Sequence, residues 1–346
     1  MMAWVIDLMS KSKLIIQIPC YNEADTLPFT LRDLPRSLPG VDSVEWLVID
    51  DGSNDGTAVV AKEHGVDHVI VHRRNRGLAA AFRTGLDASL RLGADIIVNT
   101  DADNQYRGDN IGALVAPIVA GQADIVIGDR QTWSLAGFST GKKWLQAVGS
   151  LVVRRLSDTD VVDAVSGFRA FSRDAALQLN IVSSFSYTIE TIIQAGKKRL
   201  AIQCLPIQTN GKTRESRLFA SIPHFLAHSI GTMVRVYAMY QPLRVFFYVS
   251  LALFTVGFLP ILRFLYLYFT GSGSGHIQSL VLGGVLVLMG SLSLMIGLIA
   301  DLISRNRQLL ELALEKIRRI ELAQQSQNEE TEPNNADQAW ASTSEF

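Results

Sequence analysis

Hydrophobic and polar positions divide the chain into two kinds of pattern. Over roughly the first two-thirds, short β-branched runs at 14–18, 46–49, 68–71, 96–99 and 125–127 alternate with stretches of helical spacing. Apolar runs this short, separated by helices, predict an α/β domain with a mostly parallel sheet covered on both faces. Beyond residue 219 the pattern changes, and 245–269 and 277–300 are apolar almost throughout. Each exceeds the roughly 20 residues that cross a hydrocarbon core of about 30 Å. A two-helix transmembrane hairpin is therefore expected, its spans joined only by Thr270 to His276. Residues 222–240 mix apolar positions with His224, His228 and Arg235 and read as an interfacial amphipathic helix. Residues 305–322 combine strong helix formers with mixed charge, which suits a short coiled coil or surface helix. The last stretch, 323–346, has five acidic residues and no basic one and is expected to be disordered. The expected organisation is a soluble domain over 1–219, an interfacial helix over 220–243, the hairpin over 244–303, a helix over 304–322 and the tail over 323–346.

Composition narrows the function classes. Hydrophobic residues make up 48% of the 346, which excludes a wholly soluble protein once the two long runs are counted. With 32 basic and 33 acidic residues the net charge is −1, so the chain lacks the basic field that gathers nucleic acid. Cys20 and Cys204 lie far apart in apolar stretches and read as buried reduced thiols. The first ten residues have the wrong polarity for a secretory signal, since Lys11 and Lys13 follow the apolar patch. Arg235 and Arg244 precede the first span and Arg305 and Arg307 follow the second, while the linker has neither Lys nor Arg. The positive-inside bias then places the soluble domain and both termini in the cytoplasm, as an integral cytoplasmic-membrane protein. Arg263 reads as a snorkelling residue at the outer end of its helix, near Tyr266 and Tyr268.

Ligands on sheets of this kind bind beyond the carboxyl ends of the strands, so the polar clusters that follow strands carry the information. Three do so: Pro19-Cys20-Tyr21-Asn22-Glu23, Asp50-Asp51-Gly52-Ser53-Asn54-Asp55-Gly56, and Asp101-Ala102-Asp103-Asn104-Gln105. Asp101 and Asp103, two apart and leaving a strand, can face one hard cation, and the Gln105 amide supplies another oxygen, as Mg2+ or Mn2+ prefers. Asp-x-Asp alone is a weak signal that most often marks a solvated turn. Its position after a strand, joined by two other polar strand ends, turns it toward a metal site. Asp55 reads as a cap for the following helix. Neither a G-x-G-x-x-G nor a Walker A phosphate loop occurs in the sequence.

With these residues in view, the chain resembles glycosyltransferase family 2, and within it the polyprenyl-phosphate glycosyltransferases, the group that includes dolichol-phosphate mannosyltransferase. The likeness runs in order through IPCYNEADTL, VIDDGSNDGT, RNRGLAAAFRTGL, DADNQY, GDR, DAVSGFRAFSR and TRESRLF, from Ile15 to Phe219. The resemblance implies a GT-A-like nucleotide-sugar-binding domain and inverting transfer of one sugar from a UDP- or GDP-sugar to a polyprenyl phosphate. It assigns Pro19, Tyr21, Glu23 and one or both of Asp50 and Asp51 to the nucleoside. Asp101, Asp103 and Gln105 would take the metal and the donor diphosphate, and Asp163 would lie near the attacking oxygen as base or orienter. Two C-terminal spans fit the bacterial branch, which includes tetramers, so a homo-oligomer is expected. Mannosyltransferases often carry Gly-Glu-Ser-Lys where this chain has Arg214-Glu215-Ser216-Arg217. The Gln-x-x-Arg-Trp motif of processive polysaccharide synthases is absent.

A phosphate acceptor changes the chemical problem. Its second pKa is about 6, so the nucleophile is already ionised and needs no strong base. What it needs is cations: Arg130, Arg169, Arg214 and Arg217 are the candidates to receive the acceptor phosphate, with Ser216 adding a hydroxyl. Asp163 then has a second possible task, orienting an arginine such as Arg169. Asp103 and Asp163 are the residues on which catalysis is expected to turn. The rival reading is a membrane-anchored nucleotide-sugar-binding scaffold without turnover, whose mark would be loss of Asp101, Asp103 or Glu23, and all three are present. A transport component is disfavoured, since two spans offer no pathway.

Overall fold

All five apolar runs become strands: β1 (Lys13–Cys20), β2 (Ser43–Asp50), β3 (His68–Val71), β4 (Ile96–Asn99) and β5 (Ile125–Asp129). The computed structural model describes residues 12–131, 140–182, 187–210, 237, 241–271 and 276–343. Two further strands, β6 (Arg169–Ser172) and β7 (Ile202–Pro206), complete one sheet in the order β3-β2-β1-β4-β6-β5-β7. β1 pairs in parallel with β2 and β4, β2 with β3, and β5 with β7. β6 alone runs antiparallel, inserted between β4 and β5. Its reversed direction matters for the site. Asn99 pairs with Arg169, so the segment that enters β6, including Asp163 and Gly167, arrives at the same edge that β4 leaves toward Asp101.

The central strands are buried on both faces, as the unbroken apolar runs require; seven of the eight β1 positions are buried. The helices are α1 (Leu27–Asp33), α2 (Thr57–Glu63), α3 (Leu78–Arg91), α4 (Ile111–Val119), α5 (Thr140–Ser157), α6 (Arg173–Gln178) and α7 (Tyr187–Lys198). α3 buries Phe82, Leu86 and Leu90 on its amphipathic face, each side chain contributing about 1.5–3 kcal/mol of apolar burial. It lies so close to the sheet that a methyl at Gly85 would sit 2.5 Å from Gln17 Oε1 and 2.7 Å from Ile49 Cδ1.

The chain divides into two units, residues 1–233 with 314–346, and residues 234–313. In the second unit, α8 (Pro242–Phe269) packs against the first part of α9 (Ile277–Thr343). Both are long and apolar enough to cross a membrane. With no hydrophobic drive between helices in lipid, close approach depends on small residues, and Gly283, Gly290 and Gly297 on α9 meet Ile261, Phe254 and Phe246 of α8. The Ser250 hydroxyl donates to the Gly290 carbonyl across the pair at 2.8 Å. Phe258, Leu262, Leu288 and Met295 stay exposed, as lipid-facing positions would.

The stretches read as the second span, a helix over 304–322 and a disordered tail over 323–346 run as one helix as far as Thr343. No Gly or Pro interrupts residues 301–325, and Asp301–Arg305, Arg307–Glu311 and Glu315–Arg319 pair one turn apart along it. Ala, Gln and Glu, all good helix formers, extend it past Leu322. Its later turns belong to the first unit, within which Arg318 pairs with Asp87 of α3 at 3.6 Å and Arg319 with Asp174 of α6 at 2.8 Å. The interfacial helix expected over 222–240 lies outside the described residues, apart from Tyr237.

Candidate active site

The loops that leave β1 and β2 are tied into one body. Asn22 N–H donates to Ser53 Oγ at 2.9 Å, and Asn54 N–H donates back to Asn22 Oδ1 at 3.0 Å. Glu23 N–H donates to Thr57 Oγ1 at 2.9 Å and Ala24 N–H to Asp55 Oδ2 at 3.0 Å. Asp55 also accepts from Thr57 N–H at 3.0 Å, but the N-cap of α2, expected to be Asp55, is Gly56, with no side-chain cap. Asn22 takes a left-handed φ of 54°, a conformation Asn tolerates. Of the nucleoside candidates, Glu23 is buried and accepts from the Thr26 hydroxyl at 2.6 Å, whereas Tyr21 keeps 40% of its surface exposed.

The two carboxylates after β2 differ in their bonding. Asp50, buried, accepts from Ser53 N–H at 2.8 Å. Asp51 accepts from His72 Nδ1 at 2.7 Å, Arg76 N–H at 2.9 Å and Gly77 N–H at 2.8 Å. It thereby moulds the Arg74–Gly77 turn, and His72 is held from its other side by Thr84 at 3.0 Å. Gly52 is required here: its φ is +76°, and a Cβ would lie 2.6 Å from the Arg74 carbonyl carbon. Asp51 thus organises the loop beside Asp50.

The Asp101–Gln105 turn is held from several directions. The Thr30 hydroxyl donates to the Ala102 carbonyl at 2.9 Å, and Asn210 donates to the Gln105 and Asn104 carbonyls at 2.9 and 3.1 Å. Gln105 N–H donates to Asp103 Oδ1 at 3.1 Å. Burial pushes the Cys20 thiol well up, and Glu23, Asp50, Asp55 and Asp101 push it further, so acids from three strand ends surround one inert thiol. Among the described residues, no three His, Cys, Asp or Glu side chains form a complete metal cage. The donor set still fits Mg2+ or Mn2+, because such ions are held by one or two carboxylates with substrate phosphates completing the shell. Asn104 Oδ1 is buried without a hydrogen-bond donor among the described residues, one more oxygen in the same turn.

On the other side of the crevice, Arg130 leaves β5 and forks onto Asp163: Nε donates to Oδ2 at 2.7 Å and Nη2 to Oδ1 at 2.9 Å. The Arg130 side chain is 12% exposed and that of Asp163 2%. Burial pushes the Asp163 carboxyl up, but the charge and hydrogen bonds of Arg130 outweigh it and hold the group below the usual carboxylate range. Burial alone would lower Arg130; Tyr106 and Asp163 beside it carry it above its ordinary value. The arginine that Asp163 grips is Arg130, not Arg169.

Arg169, expected among the phosphate ligands, is corrected. It is fully buried and donates to the Ser166, Thr188 and Ala164 carbonyls at 2.8, 2.8 and 3.0 Å and to Thr191 Oγ1 at 2.5 Å. It ties the 164–166 segment to α7 and is spent internally, because β6 points its side chain into the protein. Arg214, Ser216 and Arg217 lie outside the described residues. The sequence reading passed over Ser53, Thr57 and Asn22, although they belong to the same polar runs, and His72, which directly follows β3 and so obeys the same rule of reading past strand ends.

A mostly parallel sheet with acids gathered at its carboxyl edge places a ligand site beyond the strand ends. Residues 15–179 match the model of glycosyl transferase family 2, and residues 241–306 match the GtrB C-terminal hairpin. The undecaprenyl-phosphate mannosyltransferase of Micrococcus luteus is 30% identical over 57% of this chain and 83% of that one. The polyprenol monophosphomannose synthase of Mycolicibacterium smegmatis is 31% identical over 51% of this chain and 68% of that one. The glucosyl-3-phosphoglycerate synthase of Mycobacterium tuberculosis, solved with Mn2+, UDP-glucose and phosphoglyceric acid, shares the fold at a TM-score of 0.53. It is 22% identical, over 66% of this chain and 80% of that one. The chain belongs to glycosyltransferase family 2 and is a glycosyltransferase with two candidate membrane spans.

Proposed function

We propose that the protein transfers a single sugar, with inversion, from a UDP- or GDP-sugar to a polyprenyl phosphate at the cytoplasmic face of the membrane. The observation that carries the reading is the Arg130–Asp163 fork near Asp101, a fixed cation beside an acid placed to hold another. The names of the mannosyltransferases it resembles support the acceptor class. Pro19, Tyr21, Glu23 and Asp50 hold the nucleoside. Asp101, Asp103 and Gln105 hold Mg2+ or Mn2+, which when bound offsets charge on the leaving diphosphate. Arg130, with Arg214, Ser216 and Arg217, receives the acceptor phosphate, already dianionic above pH about 6. Asp163 fixes the Arg130 fork and takes no proton. The hairpin anchors the chain to the membrane, where the phosphate of a membrane-embedded isoprenoid lies.

The test is transfer in detergent to undecaprenyl phosphate from radiolabelled UDP- and GDP-sugars, with Mg2+ or Mn2+ present or chelated. Label in the lipid fraction only with metal, and none with Asp103→Ala, is the expected result. Nucleotide binding without transfer of any sugar in the panel would favour the scaffold reading instead.

A further inference from the structure

Behind Asp101 lies a buried polar relay that no part of the reaction uses directly. Gln17 Nε2 donates to Asn99 Oδ1 at 2.9 Å, and Asn99 Nδ2 donates to the Tyr187 hydroxyl at 2.8 Å and to the Gly167 carbonyl at 2.9 Å. Tyr187 donates in turn to that carbonyl at 3.3 Å. From the opposite side, Gly167 N–H donates to the Tyr106 hydroxyl at 3.1 Å. The Gly167 residue is thus held at both ends by phenols. Each phenol is itself locked by stacking, Tyr187 on Phe82 with ring centroids 3.8 Å apart and Tyr106 on Phe168 at 4.9 Å. Burial pushes both hydroxyls up, Tyr106 to about 12, so each stays a neutral O–H at physiological pH.

The Cα of Gly167 faces Asp101. A methyl there would lie 3.0 and 3.2 Å from the two carboxylate oxygens and 3.1 Å from the Tyr187 hydroxyl. The bare glycine therefore leaves Asp101 its place: a methyl would force the carboxylate or the peptide to give by a few tenths of an ångström. The Gly167 peptide and the Asp101 carboxylate are close neighbours, and a displacement of one bears on the other.

We propose that Tyr187, on a helix remote from every motif, is a positioning residue that, with Tyr106, fixes the Gly167 peptide and through it the Asp101 carboxylate for the divalent cation. The inference rests on the reading of Asp101 as a metal ligand. Groups behind a ligand are worth about tenfold to a hundredfold in metal affinity. Tyr187→Phe deletes one hydroxyl and keeps the stack on Phe82.

The experiment uses the full chain in detergent and titrates Mn2+ by electron paramagnetic resonance, alone and with UDP or GDP. Tyr187→Phe is expected to weaken Mn2+ binding about tenfold, and Gly167→Ala more. Val44→Ala, a core truncation at the far end of β2, serves as the control. It lowers the melting temperature and leaves Mn2+ affinity unchanged, so a merely structural role for Tyr187 would behave like it. Where Gly167→Ala fails to fold, Tyr106→Phe tests the other side of the clamp. Mn2+ affinity unchanged in both phenylalanine variants overturns the positioning role alone. A wild type that binds no Mn2+ under any of the three conditions overturns the metal reading, and the positioning role falls with it.

Discussion

Two sides of one crevice hold their carboxylates by different means. At the ends of β2 and β4, Asp50, Asp55 and Asp103 accept from backbone N–H groups of their own loops, and Asp51 from those of the Arg74–Gly77 turn. At the end of β5, Asp163 accepts instead from a guanidinium. Backbone donors orient an acid without cancelling its charge, so the first side stays negative and suits a cation. The fork of Arg130 and Asp163 is neutral as a pair but presents the arginine's outer edge, which suits an anion. One transferase needs both: a place for a metal-bound diphosphate and a place for a phosphate nucleophile, side by side but oppositely charged.

The largest effect should come from the negative side. Asp103→Ala, or Asp101→Asn, removes a metal-facing oxygen and should lower kcat on the order of a thousandfold, the equivalent of several kcal/mol of charge stabilisation. Nucleotide affinity measured with metal chelated should hardly change. If transfer survives at a tenth of wild type, the acids of this side do not carry a cation and the contrast fails.

Next comes the pair itself. Arg130→Met leaves Asp163 buried beside an apolar group and should cost about 3–5 kcal/mol of stability, because a buried charge loses its partner. Adding Asp163→Leu should recover most of that, since an apolar pair of similar volume replaces an ion pair at little cost. Both variants should lack transfer. Thermal melts of the single and double variants separate the two contributions; a double variant that still transfers sugar would remove Arg130 from the acceptor's path.

Smaller again is the effect of Asp51→Asn. An amide cannot accept from Arg76, Gly77 and His72 with both atoms, so one donor is orphaned, at about 1–3 kcal/mol. The expected signature is a raised KM for the donor with kcat nearly constant, because the Arg74–Gly77 turn loosens while Asp101 and Asp103 stay in place.

What the sequence disclosed followed from one rule, that polar residues just past buried strands converge. It singles out Asp50, Asp101 and Arg130 as candidates, and applied after β3 it singles out His72 as well. It failed for β6, because Arg-Ala-Phe-Ser is four residues with no strong β pattern, and antiparallel insertion is a long-range choice that local periodicity does not encode. The fate of Arg169 depended on that strand: motif position suggested phosphate, and the burial imposed by β6 made it an internal tie. Tyr187 was invisible for a related reason. It opens an ordinary amphipathic helix, and its tie to Gly167 spans 20 residues of chain.

The smallest expected effect is on the pH profile, and it separates base from orienter. Asp163 titrates below the usual carboxylate value of about 3.9. The stability it contributes is therefore fully present above that unfolded value and is lost only as pH falls through the lower folded one. Between pH about 5 and 9 the group stays ionised, so nothing in the rate should report it. The acid limb of kcat/KM should instead follow the acceptor phosphate, with a midpoint at about 6. Asp163→Asn weakens the grip on Arg130 and should lower the plateau about tenfold or more, in the range seen for groups that hold a functional residue in place. The midpoint should stay where it was, since the phosphate that sets it is untouched. A midpoint that moves in Asp163→Asn, or an acid limb that disappears, would make Asp163 the proton acceptor and leave Arg130 to be held by the fold alone.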